Sequence, residues 1–253
     1  MSLGLAFEGC ACRAAFHVGA VEWLAERGVR PHAVSGASAG AMVAVAVALG
    51  LDGLEERWGD LLGRTRVFQP RRLLRGGWPF AMSDVLASAL ERHFGDALLS
   101  ELPLPTALVV THISPQRGRE RRVLTRAHPI PARQAVLASS FIPGPYHRLI
   151  RVGGRLGVDG AWQVRTPVVE ARDAGATHVL ALVSDPAGRL IEGLVRERAA
   201  PAPPYARVVG PAAPLALGSF DFDAERTRAA FQAGRAAIER FARDEEPWLE
   251  AAL

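Results

Sequence analysis

A short run of small residues around Ser38 carries the clearest chemical signal in the sequence. Gly36-Ala37-Ser38-Ala39-Gly40 follows a predicted strand, His32 to Ser35, and precedes a very apolar stretch that ends near Leu49. Gly-x-Ser-x-Gly between a strand and a helix is typical of a nucleophile elbow, a turn so tight that the residues beside the serine must be small. The serine then lies at a helix N-terminus, which favours developing negative charge. The pattern predicts a nucleophile at Ser38; a Gly/Ser turn without chemistry is the alternative.

A nucleophilic serine needs a base, and the histidines of this chain give a histidine base little support. In the α/β-hydrolase order, the serine is followed by an acid and then by a histidine. His178 stands at the start of a predicted strand, and His147 lies beside a proline-rich turn. The others have no recognisable partner pattern: His17, His32, His93, His112 and His128.

The elements that must position Ser38 alternate between strands and helices. Leu3 to Phe7 predicts a buried strand, and about Ala14 to Arg27 predicts a helix that stops at Gly28. With the strand and helix around Ser38, this order is typical of a parallel sheet with right-handed crossovers. Further strands are predicted at Thr106 to Ile113, Arg121 to Thr125 and His178 to Val183, a hairpin at Arg148 to Val158, and helices at Ser83 to His93, Pro131 to Ser139, Val168 to Ala174 and about Ala224 to Arg243. Pro186 to Ser219, rich in Pro, Ala and Gly, predicts loops or a mobile segment.

Composition and charge exclude several classes of protein. The 253 residues suffice for one α/β domain with a sizeable core. All 30 basic residues are arginines, but the formal net charge is only +4 and the arginines are scattered, so no nucleic-acid partner is predicted. Cys10 and Cys12 are too close for an ordinary disulfide, and no second cysteine pair or histidine cluster completes a zinc site. No metal or organic cofactor is therefore predicted.

No stretch predicts a membrane span or a signal peptide. The longest apolar run, Ala41 to Leu49, is too short to span a bilayer, and Met1 to Glu8 lacks the charged start and long apolar run of a signal peptide. Free cysteines are typical of a reducing compartment. We therefore expect a cytoplasmic protein whose membrane contact, if any, is peripheral; the sequence leaves its oligomeric state open.

Three segments in a fixed order resemble the patatin-like phospholipases. The first runs from Gly9 to Gly19, where the family has a glycine-rich anion loop with a basic residue that Arg13 matches. The second is the elbow Gly36 to Gly40, and the third is Val158-Asp159-Gly160-Ala161, where the family has Asp-Gly-Gly or Asp-Gly-Ala. The flanks Ala138 to Gly144 and Thr166 to Val168 also look like family sequence.

The resemblance covers residues 3–183 and implies a three-layer α/β/α fold with a mainly parallel central sheet. We expect one domain over residues 1–253, with the helix at residues 224–243 packed on it.

The resemblance also implies a serine–aspartate dyad. Ser38 would attack an ester carbonyl to form an acyl-enzyme, and Asp159 would accept the serine proton and later activate water. A carboxylate is a weak base, so Asp159 needs a partly desolvated site that raises its pKa. Gly36, Gly40 and Gly160 support the two motifs. Taken alone, Asp159-Gly160 favours a simple turn.

The anion loop departs from the family pattern. Gly9 is kept, but Cys10, Ala11 and Ala14 stand where the family usually has glycine. We expect the oxyanion hole at Gly9, Cys10 and Ala11, since any non-proline residue has a backbone N–H to donate. If a replaced position needs a positive φ, its Cβ costs about 1 kcal/mol or more. A re-shaped loop without the hole is the alternative.

Three side chains near this loop have two interpretations each. Glu8 would oppose an oxyanion unless it points away or pairs with Arg13. Cys10 and Cys12 are either small buried replacements for glycine and alanine, or thiols at the mouth of the site that are open to modification or redox control.

The segment Arg64 to Phe80 mixes five arginines with Phe68, Trp78 and Phe80, and proline and glycine interrupt it. It predicts irregular structure. It could form an interfacial patch whose arginines meet anionic headgroups while the aromatic rings enter the headgroup boundary. The alternative is a solvated loop whose aromatic rings fold back on the core.

Three functions remain open at this point. The leading hypothesis is a lipid acyl hydrolase of phospholipase A, lysophospholipase or carboxylesterase type. The second is a protein of the same fold without catalytic activity, which binds lipid or a protein partner. The third is an acyltransferase that passes the acyl group from Ser38 to an alcohol or thiol.

Overall fold

The computed structural model describes residues 1–63, 67–114, 116, 118–193 and 196–253. The strands are β1 (Leu3–Phe7), β2 (Ala33–Ala37), β3 (Thr106–Ser114), β4 (Gly118–Leu124), β5 (Ile150–Val152), β6 (Arg155–Val158), β7 (His178–Leu182), β8 (Leu190–Gly193), β9 (Arg196–Ala200) and β10 (Ala206–Val209). The helices are α1 (Ala15–Glu26), α2 (Ala39–Ala48), α3 (Leu54–Gly63), α4 (Met82–Phe94), α5 (Ala132–Ser139), α6 (Val168–Asp173), α7 (Ala224–Asp244) and α8 (Glu246–Ala252). Among the described helices, none has the length and apolar character needed to cross a bilayer.

The central sheet has the order β10-β7-β1-β2-β3-β6-β5. The strands from β10 to β3 are parallel, while β6 pairs antiparallel with β3 and β5, and β4 pairs antiparallel with β3. Parallel strands end at one edge, so the loops after β1 and β2 meet there.

Alternate residues of the central strands face two separate layers of side chains. In β1, Leu5 and Phe7 join the large core that contains α1, α2 and α7, whereas Ala6 joins a smaller core with α6. Gly4 lies on the same face as Ala6, and a Cβ there would stand 2.6 Å from Ala176 Cβ, just beyond α6. The small residues of that face let α6 pack closely on the sheet. The predicted three-layer α/β/α fold with a mainly parallel sheet is confirmed.

Helix α7 packs closely against α1. A Cβ at Gly19 of α1 would collide with the backbone of Phe231, and a Cβ at Gly234 of α7 would collide with the carbonyl oxygen of Phe16. The two glycines therefore bring the helix backbones into contact. Helix α7 lies against the large core.

The prediction of loops over Pro186 to Ser219 was wrong. This stretch contains the two-stranded sheet β8–β9 and strand β10, which pairs in parallel with β7. Prolines cluster just before β10, so they mark where the strand begins and do not interrupt its hydrogen bonding. Helices α3 and α8 were not predicted either.

The described backbone has positive φ at only two residues other than glycine, Ala11 and Ser38. Ala11 has φ 53° and opens a 3₁₀ turn, Ala11–Ala14, that leads into α1. Ser38 has φ 52° and ψ −127° between β2 and α2. Both residues follow the carboxyl end of a parallel strand, so backbone strain is concentrated at the edge where β1 and β2 end.

Relief of this strain is measurable at Ala11. Ala11→Gly should raise the free energy of unfolding by about 0.5–1 kcal/mol, because glycine removes the Cβ penalty at positive φ but adds entropy to the unfolded chain. Ala14→Gly is the matched control, since Ala14 has an ordinary φ of −62° and is buried. It should lower the free energy of unfolding by about 1 kcal/mol. Urea unfolding measures the free energy of unfolding of both variants. If both substitutions destabilised the protein equally, the positive φ of Ala11 would be contradicted.

Candidate active site

Ser38 occupies the sharp turn between β2 and α2. A Cβ at Gly36 would collide with the backbone of Gly40, and a Cβ at Gly40 would collide with the carbonyl oxygens of Phe7 and Glu8. The turn therefore needs glycine at both positions, and it presses against the end of β1. Its shape leaves the Ser38 hydroxyl at the N-terminus of α2, where the helix dipole favours negative charge.

Asp159 follows β6 and faces the serine. Ser38 Oγ donates a hydrogen bond of 2.7 Å to Asp159 Oδ2, and the Ala161 N–H donates one of 2.8 Å to Asp159 Oδ1. A Cβ at Gly160 would collide with the carbonyl of Val109 on β3, so the turn after Asp159 lies directly on the sheet. The structure therefore brings together the two residues predicted as nucleophile and base, which stand 121 positions apart.

Burial raises the pKa of Asp159 to about 7, and the hydrogen bonds from Ser38 and Ala161 oppose that rise only in part. Asp159 is 1% exposed. Because a carboxylate with a pKa near neutral is a far better base than an ordinary one, burial gives this side chain the property that a base needs.

No histidine of the described residues hydrogen-bonds to Ser38 or Asp159. His178 packs against Trp248, and His147 lies 3.9 Å from Asp84. This arrangement agrees with the weak support for a histidine base in the sequence.

Three side chains that sequence analysis did not single out hold Ser38, Asp159 and the anion loop in place. Ser139 Oγ accepts a hydrogen bond of 2.8 Å from the Ser38 N–H and donates one of 2.6 Å to the Val109 carbonyl. Thr111 Oγ1 donates one of 2.8 Å to the Asp159 carbonyl. The third, Arg165, acts on the anion loop. Ser139 lies in the flank Ala138 to Gly144, which looks like family sequence. The family resemblance therefore pointed to this segment but not to the hydrogen bonds that Ser139 makes.

The anion loop after β1 presents two backbone N–H groups without acceptors. Gly9 N–H donates to the Arg165 carbonyl at 2.8 Å, and Cys12 N–H donates to the Ser219 carbonyl at 3.1 Å. Between them, the N–H groups of Cys10 and Ala11 have no hydrogen-bond acceptor in the described part of the chain. These two can serve an oxyanion.

The expectation that Gly9 contributes an oxyanion donor was wrong, because its N–H is already bonded to Arg165. Gly9 instead permits close packing. A Cβ there would stand 2.7 Å from Ala161 Cβ and 3.2 Å from Ser38 Cβ. The missing side chain lets the anion loop lie directly against Ser38 and against the turn that follows Asp159.

Glu8 is paired inside the protein. Its carboxylate lies 2.6 Å from Arg165 Nε and accepts a hydrogen bond of 2.5 Å from the Ser184 N–H. The cation that pairs with Glu8 is therefore Arg165, whereas Arg13 makes no ion pair with any described residue. Arg165 therefore holds the anion loop through two contacts. Its side chain pairs with the Glu8 carboxylate, and its carbonyl accepts the hydrogen bond from the Gly9 N–H.

Glu8, Cys10 and His17 form a buried cluster whose potential metal-binding atoms lie within 4.8 Å of one another. Burial, and then the charge of Arg13, lower the pKa of His17 to about 3. Because Arg165 and Ser184 already engage the Glu8 carboxylate, its charge is balanced without a cation. These donors therefore fit a resident metal poorly.

The two thiols are free and buried. Burial raises the pKa of Cys10 well above its ordinary value and that of Cys12 to about 11. Since thiolates are the reactive form, these surroundings favour the interpretation as small buried replacements over that of reactive thiols.

An apolar cleft opens beside Ser38. Its walls are mainly apolar and come from the anion loop, the start of α2, helices α3 and α4, and the segments around Tyr146 and Phe220: Ala11, Cys12, Ala39, Met42, Trp58, Leu61, Met82, Val85, Leu86, Ser140, Ile142, Tyr146, Ser219, Phe220 and Phe222. An apolar cleft with the Ser38 side chain in its wall suits an apolar substrate with one polar, reactive bond.

Solved structures of similar fold cover nearly the whole chain. VipD from Legionella pneumophila is 14% identical with a TM-score of 0.55, over 99% of this chain and 67% of that one. Human GIVD cytosolic phospholipase A2 is 13% identical with a TM-score of 0.61, over 99% of this chain and 60% of that one. The same human enzyme in complex with methyl gamma-linolenyl fluorophosphonate is 13% identical with a TM-score of 0.57, over 99% of this chain and 58% of that one. This chain thus spans less than two thirds of the human enzyme.

At these identities the structural likeness shows a shared fold and no more. A sequence search of curated proteins gave no match. A model of the patatin-like phospholipase family matches residues 5–172, which include the anion loop, the elbow and the Asp159 motif. The chain therefore belongs to the patatin-like phospholipase family.

Proposed function

We propose that the chain is a serine lipid acyl hydrolase that cleaves acyl esters through an acyl-Ser38 intermediate. The observation that carries the proposal is the buried hydrogen bond of 2.7 Å to Asp159 Oδ2 from Ser38 Oγ, a residue that lines an apolar cleft. Membership of the family supports a lipid acyl ester as the substrate class. Phospholipase A, lysophospholipase and carboxylesterase activities all use this chemistry.

The reaction proceeds in two halves. Ser38 Oγ attacks the ester carbonyl carbon while Asp159 takes its proton, and the proton then passes to the departing alcohol. Water attacks the acyl-enzyme, Asp159 again takes the proton, and Ser38 leaves with it as the free acid forms. The N–H groups of Cys10 and Ala11 stabilise the oxyanion of both tetrahedral intermediates.

The chemistry of a neighbour's ligand is consistent with this proposal. Human GIVD cytosolic phospholipase A2 has been solved with methyl gamma-linolenyl fluorophosphonate. Fluorophosphonates phosphonylate activated serines, and this ligand also carries a long apolar chain. A reagent of this class is therefore a suitable probe for Ser38.

The catalytic test uses a fluorophosphonate probe and p-nitrophenyl butyrate. Ser38→Ala should abolish labelling and turnover, and Asp159→Asn should lower both at least about 10³-fold, because the amide cannot accept the serine proton. Ser88→Ala and Asp173→Asn change the same residue types at exposed positions and should behave as wild type. A folded wild type that neither labels nor turns over would favour the alternative of a lipid- or protein-binding protein.

Activity should depend on pH through Asp159. Burial raises its pKa to about 7, and only the ionised form accepts a proton, so kcat/KM should fall about tenfold per pH unit below 7 and be level above it. The rate of fluorophosphonate labelling should follow the same curve. A labelling rate that is level from pH 5 to 8 would contradict Asp159 as the base.

The same pKa sets the pH dependence of stability. A carboxyl whose pKa is raised on folding stabilises the fold at low pH, and that contribution is lost as pH rises from about 4 through 7. Asp159→Asn should therefore gain stability relative to wild type across this range, with no further gain above pH 7. Urea unfolding at several pH values measures the difference.

We further propose that residues 67–80 contact a lipid surface beside the cleft. The arginines Arg64 and Arg66 of the predicted patch lie outside the described residues. In the described part, a 3₁₀ turn, Pro70–Arg75, exposes Leu73 and Leu74, the latter to 88%. Trp78 Nε1 donates a hydrogen bond of 2.8 Å to the Gly144 carbonyl, between the cleft residues Ile142 and Tyr146.

The charges of this turn suit an anionic surface. Arg72 is paired with Asp84 at 2.6 Å, whereas Arg71 and Arg75 are exposed. Exposed leucines between exposed arginines match the two demands of a headgroup boundary, apolar contact and anion binding. Phe68 and Trp78 are exposed as well, which favours the interfacial interpretation over aromatic rings folded back on the core.

Vesicle binding tests this surface. Arg71→Gln with Arg75→Gln should weaken binding to phosphatidylcholine vesicles containing phosphatidylglycerol roughly 30-fold, at about 1 kcal/mol per arginine. Arg30→Gln with Arg228→Gln removes the same charge at exposed positions elsewhere and should have little effect. Leu73→Ser with Leu74→Ser should weaken binding even to neutral vesicles. Equal effects of the two arginine pairs would refute a localised surface.

A further inference from the structure

An ester in the cleft presents two oxygens, one on the carbonyl carbon and one that departs with the alcohol. In the proposed reaction the N–H groups of Cys10 and Ala11 serve the first. The cleft is otherwise mainly apolar, and among the described residues that line it four carry a hydroxyl group: Ser38, Ser140, Tyr146 and Ser219. The alcohol oxygen therefore has few groups from which to accept a hydrogen bond.

The departure of the alcohol is the demanding step for an ordinary ester. An alkoxide is a strong base, so the negative charge that develops on its oxygen needs a hydrogen-bond donor or a proton. In the proposed reaction Asp159 takes the proton of Ser38 and passes it to this oxygen. The alcohol oxygen must therefore come close to Asp159, and a donor that helps its departure must lie there too.

The Tyr146 hydroxyl lies within the electrostatic field of Asp159. Burial, and then the charge of Asp159, raise the pKa of Tyr146 above its ordinary value. The Tyr146 ring packs edge-on against Phe141, with the ring centroids 6.2 Å apart, and the Phe141 carbonyl accepts a hydrogen bond of 2.9 Å from the Asp159 N–H. The phenol therefore stays protonated near neutral pH and can donate a hydrogen bond beside the base.

This hydroxyl is available to an oxygen that enters the cleft. Tyr146 is partly buried and lines the cleft, yet its hydroxyl has no hydrogen-bond partner in the described part of the chain. A hydroxyl partly removed from water without a partner carries a desolvation cost, which a bound substrate can offset. Ser140 Oγ has no partner either, but it is buried, whereas the Tyr146 hydroxyl keeps accessible surface.

The turn that carries Tyr146 is held in place before any substrate binds. Trp78 Nε1 donates a hydrogen bond of 2.8 Å to the Gly144 carbonyl, and Ser83 Oγ accepts one of 3.0 Å from the His147 N–H. These two hydrogen bonds flank Tyr146 along the chain. A donor whose position is set in advance needs no rearrangement as negative charge develops on the substrate.

We propose that Tyr146 is a further catalytic residue, whose hydroxyl donates a hydrogen bond to the alcohol oxygen of the ester as that oxygen departs. The inference rests on the proposed function, because it takes the reaction through acyl-Ser38 as given. The bond between the carbonyl carbon and the alcohol oxygen breaks, its electron pair stays on that oxygen, and Asp159 supplies the proton. Tyr146 keeps its own proton throughout. The site is thereby suited to esters of alkyl alcohols, such as those of glycerol, and not only to activated esters.

Tyr146→Phe removes this hydroxyl and keeps the ring. For ethyl butyrate, kcat/KM should fall roughly 10–100-fold, the range expected when a hydrogen bond to a charged oxygen is lost. For p-nitrophenyl butyrate, which has the same acyl group, kcat/KM should fall about twofold or less, because p-nitrophenolate is a weak base that departs without such help. Wild type should itself hydrolyse ethyl butyrate; activity confined to the p-nitrophenyl ester would contradict the inference.

Two further measurements separate a catalytic role of Tyr146 from a structural one. Tyr205→Phe changes the only other tyrosine of the chain, which packs against Arg172, and should leave both rates as in wild type. Fluorophosphonate labelling of Tyr146→Phe should stay within about twofold of the wild-type rate, because fluoride is also a weakly basic leaving group. A merely structural role would slow labelling and both ester reactions alike.

The midpoint of urea unfolding should be the same for Tyr146→Phe and wild type, because the lost hydroxyl has no partner. A lower midpoint would show that the hydroxyl serves the fold and would overturn the inference. Equal losses of kcat/KM for the two esters, or an unchanged value for ethyl butyrate, would also overturn it and leave the hydrolase standing. A wild type that is neither labelled nor active on either ester would refute the proposed function, and this inference with it.

Discussion

The hydrogen bond between Ser38 Oγ and Asp159 Oδ2 is the interaction on which the arrangement of the site depends. It joins positions 121 residues apart, so neither local sequence nor a single element can form it. Strand β3 makes it possible, because β2 pairs with its residues 106–109 and β6 with its residues 111–113, one after the other along the edge opposite β4. Ser139 and Thr111 then hold the backbone of Ser38 and of Asp159, respectively, by hydrogen bonds. The sheet register thus determines whether the hydroxyl and the carboxylate meet.

Burial of Asp159 raises its pKa at the expense of stability. A carboxylate removed from water loses solvation, and among the described residues only Ser38 and Ala161 donate hydrogen bonds to it in return. An ion pair would hold the charge more firmly, but it would also lower the pKa and weaken the base. The buried ion pair of this region lies instead between Glu8 and Arg165, where it fixes the anion loop. Two different carboxylates therefore meet the two demands: Glu8 positions the backbone of the anion loop, and Asp159 is the one that can accept a proton.

The sequence predicted what depends on local pattern and missed what depends on distant partners. The elbow at Ser38 and the strands β1 and β2 follow from small residues and short apolar runs, which are visible within a few positions. Strand β10 was missed because its short apolar run lies among prolines and gains its strand partner only from β7. The error at Gly9 is similar: its N–H is bonded to a carbonyl 156 positions away, and no motif records that bond.

The altered anion loop shows why a glycine motif can change while its backbone geometry persists. A main-chain N–H can donate to an oxyanion whatever side chain its residue carries, so the side chains of this loop matter through the φ they permit and the space they occupy. Cys10 turns its thiol into the protein, 3.8 Å from His17 Nε2, and Ala11 accepts a positive φ. Gly9 is different, because a Cβ there would meet both Ala161 and Ser38. The position that keeps glycine is thus the one that touches Ser38 and Ala161, whereas Cys10 and Ala11, two of the three positions that lost it, have no acceptor for their N–H groups in the described part of the chain.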